Sequence, residues 1–226
     1  MLNRLVLAAV TFGFLCIPLK VLAQETIVFP AADGYRLQAD QYGSGERAVI
    51  LAHGGRFDRK SWKPQAEALE KAGFRVLAID FRGYGQTIQG TQTEDWKQYS
   101  DVLAAVRYLY GAGAKSVSIV GASMGGDAAG DADSESEAGQ IDRIVFLAAQ
   151  GGSSPEKLKG RKLFILSRDD QSGDGPRLPG ISESYRRAPE PKKMVILDGS
   201  AHAQFIFDTE QGARLMQEIM RFLTEP

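Results

Sequence analysis

Short apolar runs alternate with amphipathic stretches along most of the chain, and this alternation predicts strands followed by helices. The run at 48–52 is fully apolar and predicts a buried strand. Apolar residues at helical spacing predict a helix over 62–71, which Gly73 would end. The other predicted strands are 26–29, 36–41, 74–79, 116–120, 143–148, 162–167 and 193–197, and the other predicted helices are 94–110 and 210–223. This order predicts a parallel sheet covered by helices on both faces.

The first residues have the pattern of a secretory leader. Arg4 precedes an apolar stretch of 15 residues, and Val21 and Ala23 place small side chains before a cleavage point. A membrane anchor is the alternative, but the stretch is shorter than the roughly 20 residues that span a bilayer. We therefore expect 1–23 to be a cleaved signal peptide, 24–226 to form a single domain, and the protein to be secreted or periplasmic.

Charge and cysteine content change with removal of the leader. Cleavage takes the only cysteine, Cys16, and leaves 203 residues with a net charge of −3. A lipid anchor on Cys16 is disfavoured, because the bulky Phe14 and Leu15 precede it. Without disulfides, stability must come from the core. The small net charge gives no electrostatic reason to expect nucleic acid or a membrane surface as a partner.

A distinctive pentapeptide follows one of the predicted strands. It reads Gly121-Ala122-Ser123-Met124-Gly125, and the pattern Gly-x-Ser-x-Gly is typical of a nucleophile elbow. Five residues alone are weak evidence, but the preceding strand and the small residues that follow supply the required context. A side chain at 121 or 125 would strike the neighbouring strand or helix as the turn closes. Ser123 is therefore the candidate nucleophile.

The chain has only two histidines, which limits the choice of a general base. His202 lies in a loop just after the last predicted strand, whereas His53 lies in a His-Gly pair. An imidazole changes its protonation state between about pH 5 and 8, so it can accept a serine proton and return it to a leaving group. Taken alone, His202 could be an ordinary surface residue. Its position after a strand, with Ser123 upstream, favours a catalytic role.

Together these motifs resemble the α/β-hydrolase fold family over about residues 25–226. The matching segments follow successive predicted strands and are His53-Gly54-Gly55, Asp80 to Gly85, the elbow at Ser123, an acidic cluster at 169–170 and His202. The resemblance implies a three-layer α/β/α sandwich around a mostly parallel eight-stranded sheet, with the second strand antiparallel. Only 150–161 separates the sixth and seventh strands, so we expect a small, capless serine hydrolase with an open site.

The resemblance also assigns roles to individual residues. Ser, acid, His is the chain order of the family. It favours Asp170 as the acid that orients His202, with Asp169 as its close alternative and Asp174 as a more distant one. The oxyanion hole would be the backbone amides of Gly55 and Met124.

Three further points stay open or are disfavoured. Arg56 replaces Gly55 in the oxyanion hole if that loop is shifted by one residue. Asp80 and Arg82 are expected to be structural members of a loop. The acidic run 131–137 invites a calcium interpretation but lacks the pattern of an EF-hand, so we expect a solvated helix end or loop there and no metal or cofactor.

The expected function is that of a secreted carboxylesterase, which cleaves a small-molecule or acyl ester through an acyl-enzyme. A peptidase or thioesterase on the same three residues is one alternative. A hydrolase-like binding protein, with no acid within reach of His202, is another. The sequence makes no prediction about the oligomeric state.

Overall fold

A computed structural model describes residues 24–87 and 97–225 of the chain. The strands are β1 Glu25–Pro30, β2 Arg36–Tyr42, β3 Arg47–Ala52, β4 Arg75–Ile79, β5 Ser116–Ala122, β6 Arg143–Leu147, β7 Arg161–Ser167, β8 Gln171–Ser172, β9 Gly175–Pro176 and β10 Lys192–Leu197. The helices are α1 Lys63–Lys71, α2 Gln98–Gly111, α3 Met124–Glu135, α4 Leu178–Arg187 and α5 Gly212–Thr224. Short 3₁₀ helices occupy Arg59–Trp62, Pro155–Lys157 and Ala203–Asp208. Within these ranges every helix is too short or too polar to cross a membrane.

Eight strands form one sheet in the order β1-β2-β4-β3-β5-β6-β7-β10. Strand β2 runs antiparallel to β1 and β4, and the other pairs are parallel. This topology confirms the predicted fold class, including the antiparallel second strand. Parallel strands bring their carboxyl ends to the same edge of the sheet, which is where ligands bind in open α/β sheets.

The central strands are apolar because both of their faces are covered. Strand β3 is buried at every position after Arg47, and β5 at every position after Ser116. Such strands read as continuous apolar runs rather than as alternating patterns. The rings of Phe146 on β6 and Phe164 on β7 pack with centroids 4.7 Å apart. These buried strands form a rigid base for the loops at their carboxyl ends.

Helix α3 begins directly after Ser123, as a nucleophile elbow requires, and it extends to Glu135, a length that the sequence left open. Helix α4, between β9 and β10, was not predicted from the sequence. Of the predicted helix 94–110, the first three residues lie outside the described part of the chain, and α2 begins at Gln98. Between β6 and β7, in 148–160, the Pro155–Lys157 turn is the only helical segment, so this part of the chain holds no cap.

The expectation of a solvated acidic run at 131–137 is wrong for Asp133. This side chain is fully buried on α3, where its carboxylate accepts hydrogen bonds from the backbone amides of Lys159, at 2.6 Å, and Gly160, at 3.3 Å. Burial raises its pKa. Asp131 in turn accepts from the Ser153 amide at 2.7 Å. Among the described residues, no cluster of His, Cys, Asp and Glu could hold a metal ion.

Candidate active site

Ser123 occupies a strained turn between β5 and α3. Its backbone has φ +49° and ψ −119°, a conformation that a residue with a side chain rarely adopts and that costs about 1–3 kcal/mol. The flanking glycines make the turn possible. A Cβ on Gly121 would lie 2.5 Å from the Gly125 carbonyl oxygen, and a Cβ on Gly125 would lie 2.6 Å from the His53 carbonyl oxygen. Only glycine fits at both positions.

The structure brings three of the predicted site residues together in one line of hydrogen bonds. His202 Nε2 lies 2.8 Å from Ser123 Oγ, and His202 Nδ1 lies 2.7 Å from Asp170 Oδ2. A carboxylate can only accept, so Nδ1 carries the ring proton and donates it to Asp170. Nε2 is then free to accept from the Ser123 hydroxyl. About a quarter of the His202 side chain is exposed, so a substrate can reach it.

Of the three candidate acids, Asp170 is the one that contacts His202. Asp170 is fully buried, whereas Asp169 and Asp174 are exposed. The second carboxylate oxygen of Asp170 lies 3.5 Å from Arg177 Nε, and the Asp170 carbonyl accepts from the Arg177 amide at 3.0 Å. Sequence reasoning missed Arg177, which lies just before α4, a helix whose first turn contains Pro179 and Gly180.

Two backbone amides lie close to Ser123. The Met124 amide begins α3, and the Gly55 amide lies in the loop after β3; within the described residues neither donates to a protein acceptor. The loop approaches closely, since a Cβ on Gly54 would lie 3.6 Å from Ser123 Cβ and a Cβ on Gly55 would lie 3.7 Å from Met124 Sδ. The helix N-terminus also favours negative charge at this point.

His53 holds the loop after β3 and lies outside the Ser123 contacts. Its Nδ1 is 2.9 Å from the Gly54 carbonyl oxygen, and its Nε2 is 3.3 Å from the Phe81 amide. Nδ1 must therefore donate and Nε2 must accept, which requires a neutral ring. Burial lowers the pKa of His53, in agreement with this state.

Asp80 and Arg82 belong to ion pairs that are buried except at Asp33. Asp80 pairs with the Arg59 guanidinium and also accepts from the Arg59 amide at 2.8 Å. Arg82 pairs with Asp101 at 2.6 Å and with Asp33 at 2.7 Å. Both residues fix the loop that follows β4.

A polar cavity lies next to Met124, the residue that follows Ser123. This cavity has a volume of about 390 Å³ and is bordered by Gln98, Tyr99, Asp127 and Asp131. Burial raises the pKa of Asp127, although three backbone amides at 150–152 bond to its Oδ1 and oppose that effect.

On the loops that carry the Gly55 amide and His202, two aromatic rings form an apolar contact. Phe57 and Phe205 pack with centroids 4.8 Å apart, and Phe205 is 39% exposed. Among the described residues, a polar cavity therefore lies beside Met124, and the Phe205 ring is exposed on the loop of His202.

Comparison with known proteins agrees with this architecture. A model of the Alpha/beta hydrolase family matches residues 49–217. A non-heme haloperoxidase of Rhodococcus erythropolis is 32% identical over 135 residues, which cover 57% of this chain and 48% of that protein. The AB hydrolase superfamily protein YisY of Bacillus subtilis is 31% identical over 113 residues, which cover 50% of this chain and 41% of that protein. The chain spans less than half the length of both relatives.

A solved structure is similar over almost the whole described chain. An esterase of Pyrococcus furiosus superposes with a TM-score of 0.72 at 21% identity, and the match covers 89% of this chain and 94% of that one. At this level of identity the likeness shows the fold alone.

Proposed function

The chain belongs to the alpha/beta hydrolase family, and from this premise we propose that it is a serine hydrolase that cleaves carboxylic esters. Ser123 is the nucleophile, His202 the general base and Asp170 the acid that orients it. The amides of Gly55 and Met124 form the oxyanion hole. The observation that carries this proposal is the continuous contact from Ser123 Oγ through His202 to Asp170, built on a strained turn.

In the acylation half of the reaction, Ser123 Oγ attacks the ester carbon while His202 Nε2 takes the hydroxyl proton. The carbonyl electrons move onto its oxygen, and the two amides stabilise that negative charge. Asp170 stabilises the imidazolium through the Nδ1 contact. The intermediate collapses, the C–O bond to the alcohol breaks, and His202 returns the proton to the leaving alkoxide.

In the deacylation half of the reaction, water takes the place of the serine hydroxyl as the nucleophile. His202 Nε2 takes a proton from water as the water oxygen attacks the acyl carbon. The second tetrahedral intermediate then releases Ser123 Oγ, which regains its proton from His202, and a carboxylic acid leaves. The segment 148–160 holds no cap, and an open site favours esters of modest size over long-chain lipids.

A thioesterase or peptidase would use the same residues, so substrate tests must separate them. The contact of 2.7 Å between His202 and Asp170 supports catalysis over the alternative of a binding protein, which needs no acid at that position. We also propose export with cleavage before Gln24. Residues 1–23 lie outside the described part of the chain, and N-terminal sequencing of the mature protein tests this directly.

The enzymatic proposal is tested with a panel of p-nitrophenyl esters, acyl thioesters and aminoacyl anilides. We expect turnover of short esters by the wild type and a loss of about 10³-fold or more in Ser123→Ala. Ser153→Ala is a matched control, because Ser153 is exposed and uses only its backbone amide in a hydrogen bond. Absence of ester turnover in folded wild type, or equal rates in wild type and Ser123→Ala, would overturn the proposal.

A further inference from the structure

Gln204 joins two loops of the site that are far apart in sequence. It follows His202 by two residues and is 5% exposed. Its Oε1 accepts from the Gly54 amide at 2.8 Å, across 150 residues of chain, and its Nε2 donates to Ser61 Oγ at 2.7 Å. Ala203, between His202 and Gln204, has φ +52°, so the backbone there adopts an uncommon conformation.

The contact to Gly54 matters because of the conformational freedom of two adjacent glycines. Without side chains, Gly54 and Gly55 can rotate their peptide groups easily. The structure fixes both peptide groups that flank Gly54. Gln204 holds the amide on its N-terminal side, while the Gly54 carbonyl accepts from His53 Nδ1 and from the Phe57 amide at 3.0 Å.

The direction of the Gly55 amide follows from these contacts. In a trans peptide group the N–H points opposite to the C=O. The Gly54 carbonyl points toward His53 Nδ1 and the Phe57 amide, so the Gly55 N–H points the other way. A rotation at Gly54 would turn this donor away from the oxyanion, and Gln204 opposes the rotation from the N-terminal side.

We infer that Gln204 is a positioning residue of the oxyanion hole. It acts through Gly54 on the Gly55 amide, and it connects the loop of the general base with the loop of the oxyanion donor. This inference rests on the proposed function, because it assigns Gln204 a role in stabilising the tetrahedral intermediate. It predicts a loss in that stabilisation with little change in substrate binding or in proton transfer by His202.

The test compares Gln204→Leu with two other variants. Leucine removes the acceptor for Gly54, Ser61→Ala removes the partner of Nε2 together with the Ser61 hydrogen bond to the Asp58 carbonyl, and Ser153→Ala is a control outside the site. We measure kcat, KM, the pH dependence of kcat/KM, the thermal midpoint and inhibition by a trifluoromethyl ketone, which forms an oxyanion adduct with the serine.

For Gln204→Leu we expect a fall in kcat of about 10- to 100-fold, which is part of the 10²–10³ that an oxyanion donor contributes. KM should stay within about twofold and the pH profile should not move, since His202 is untouched. The ketone should bind more weakly by a factor similar to the loss in kcat. Ser61→Ala leaves the Gly54 contact in place and should lose less activity than Gln204→Leu, and Ser153→Ala, outside the site, should stay within about twofold of wild type.

The inference is overturned if folded Gln204→Leu keeps its kcat, if the pH profile shifts instead, or if ketone affinity is unchanged while kcat falls. If the leucine variant does not fold, Gln204→Ser carries the same test, because serine is too short to reach Gly54. Amide hydrogen exchange at 53–57 measures the contact without catalysis and should accelerate in Gln204→Leu but not in Ser61→Ala. An inactive wild type with this exchange pattern would refute the proposed function and leave the contact standing, whereas unchanged exchange would refute the contact.

Discussion

Replacement of Asp170 by asparagine tests how the base is oriented. The carboxylate accepts from His202 Nδ1 at 2.7 Å and has Arg177 Nε at 3.5 Å from its other oxygen. An amide has one acceptor and one donor at these two positions. Arg177 can only donate, so we expect the amide oxygen to face Arg177 and the NH₂ to face His202. Nδ1 must then accept, the ring proton moves to Nε2, and His202 can no longer take the proton of Ser123.

The size of the loss follows from the charge that is removed. The two charges are 2.7 Å apart if the imidazolium charge is placed on Nδ1, and about 1 Å farther apart if it is placed at the ring centre. At an effective dielectric constant of about 20, the Coulomb attraction between unit charges at these distances is about 4–6 kcal/mol. At about 1.36 kcal/mol per tenfold change in rate, this corresponds to a loss of about 10³- to 10⁴-fold. The wrong tautomer alone produces a loss of this order in serine triads.

The assay is steady-state hydrolysis of the best p-nitrophenyl ester, with circular dichroism to confirm folding. Asp169→Asn is the matched control, because Asp169 is the exposed neighbour, and it should stay within about twofold of wild type. Arg177→Met combined with Asp170→Asn should recover about tenfold relative to Asp170→Asn alone, since the amide can then turn its oxygen toward Nδ1. A loss below tenfold in Asp170→Asn, or a larger loss in Asp169→Asn, would refute this reasoning.

Two further predictions concern the scaffold. Gly125→Ala places a Cβ 2.6 Å from the Ala52 carbonyl carbon and should lower the free energy of unfolding in urea by about 1–3 kcal/mol. Gly111→Ala is the control, because its Cβ meets nothing within 4 Å, and it should not lower the free energy of unfolding. Equal stabilities of the two variants would contradict the close packing at Gly125. Burial lowers the pKa of His53 in the folded protein, so below about pH 6.5 the unfolded chain binds a proton that the folded chain resists. Stability should therefore fall as the pH drops from about 7.5 to 5.5, and His53→Asn should reduce that slope; an unchanged slope would exclude His53 as its source.

The sheet could be predicted from sequence because three of its inner strands, β3, β4 and β6, are buried at every position after their first arginine and form unbroken apolar runs. The elbow predicted that a helix follows Ser123, but the length of α3 could not be predicted, because this helix is built from glycine and alanine rather than from periodic apolar residues. A Cβ on Gly130 would lie 2.9 Å from Gly151 Cα, so small residues are selected there for close approach and not for helix propensity. The same packing turns Asp133 inward, although its sequence neighbours suggest solvent.

Within the site, a local motif with a fixed chain order identified Ser123, and chain position favoured Asp170 and His202. Arg177 and Gln204 have no such motif. Gln204 contacts Gly54 across 150 residues of chain, whereas Arg177 lies beside Asp170 because the short β8–β9 hairpin between them turns the chain back. Arginine and glutamine are common in loops, so residue type alone does not indicate a role for either residue.

The central claim is that the Ser123 hydroxyl is activated by His202 and forms a covalent bond with an electrophile at the acyl position. Peptide mapping by mass spectrometry after treatment with a fluorophosphonate tests this most directly. We predict one adduct on Ser123 in the wild type, and at least about 10³-fold slower labelling at that residue in His202→Ala. An unlabelled Ser123 in folded wild type, or equal labelling rates in wild type and His202→Ala, would contradict the claim.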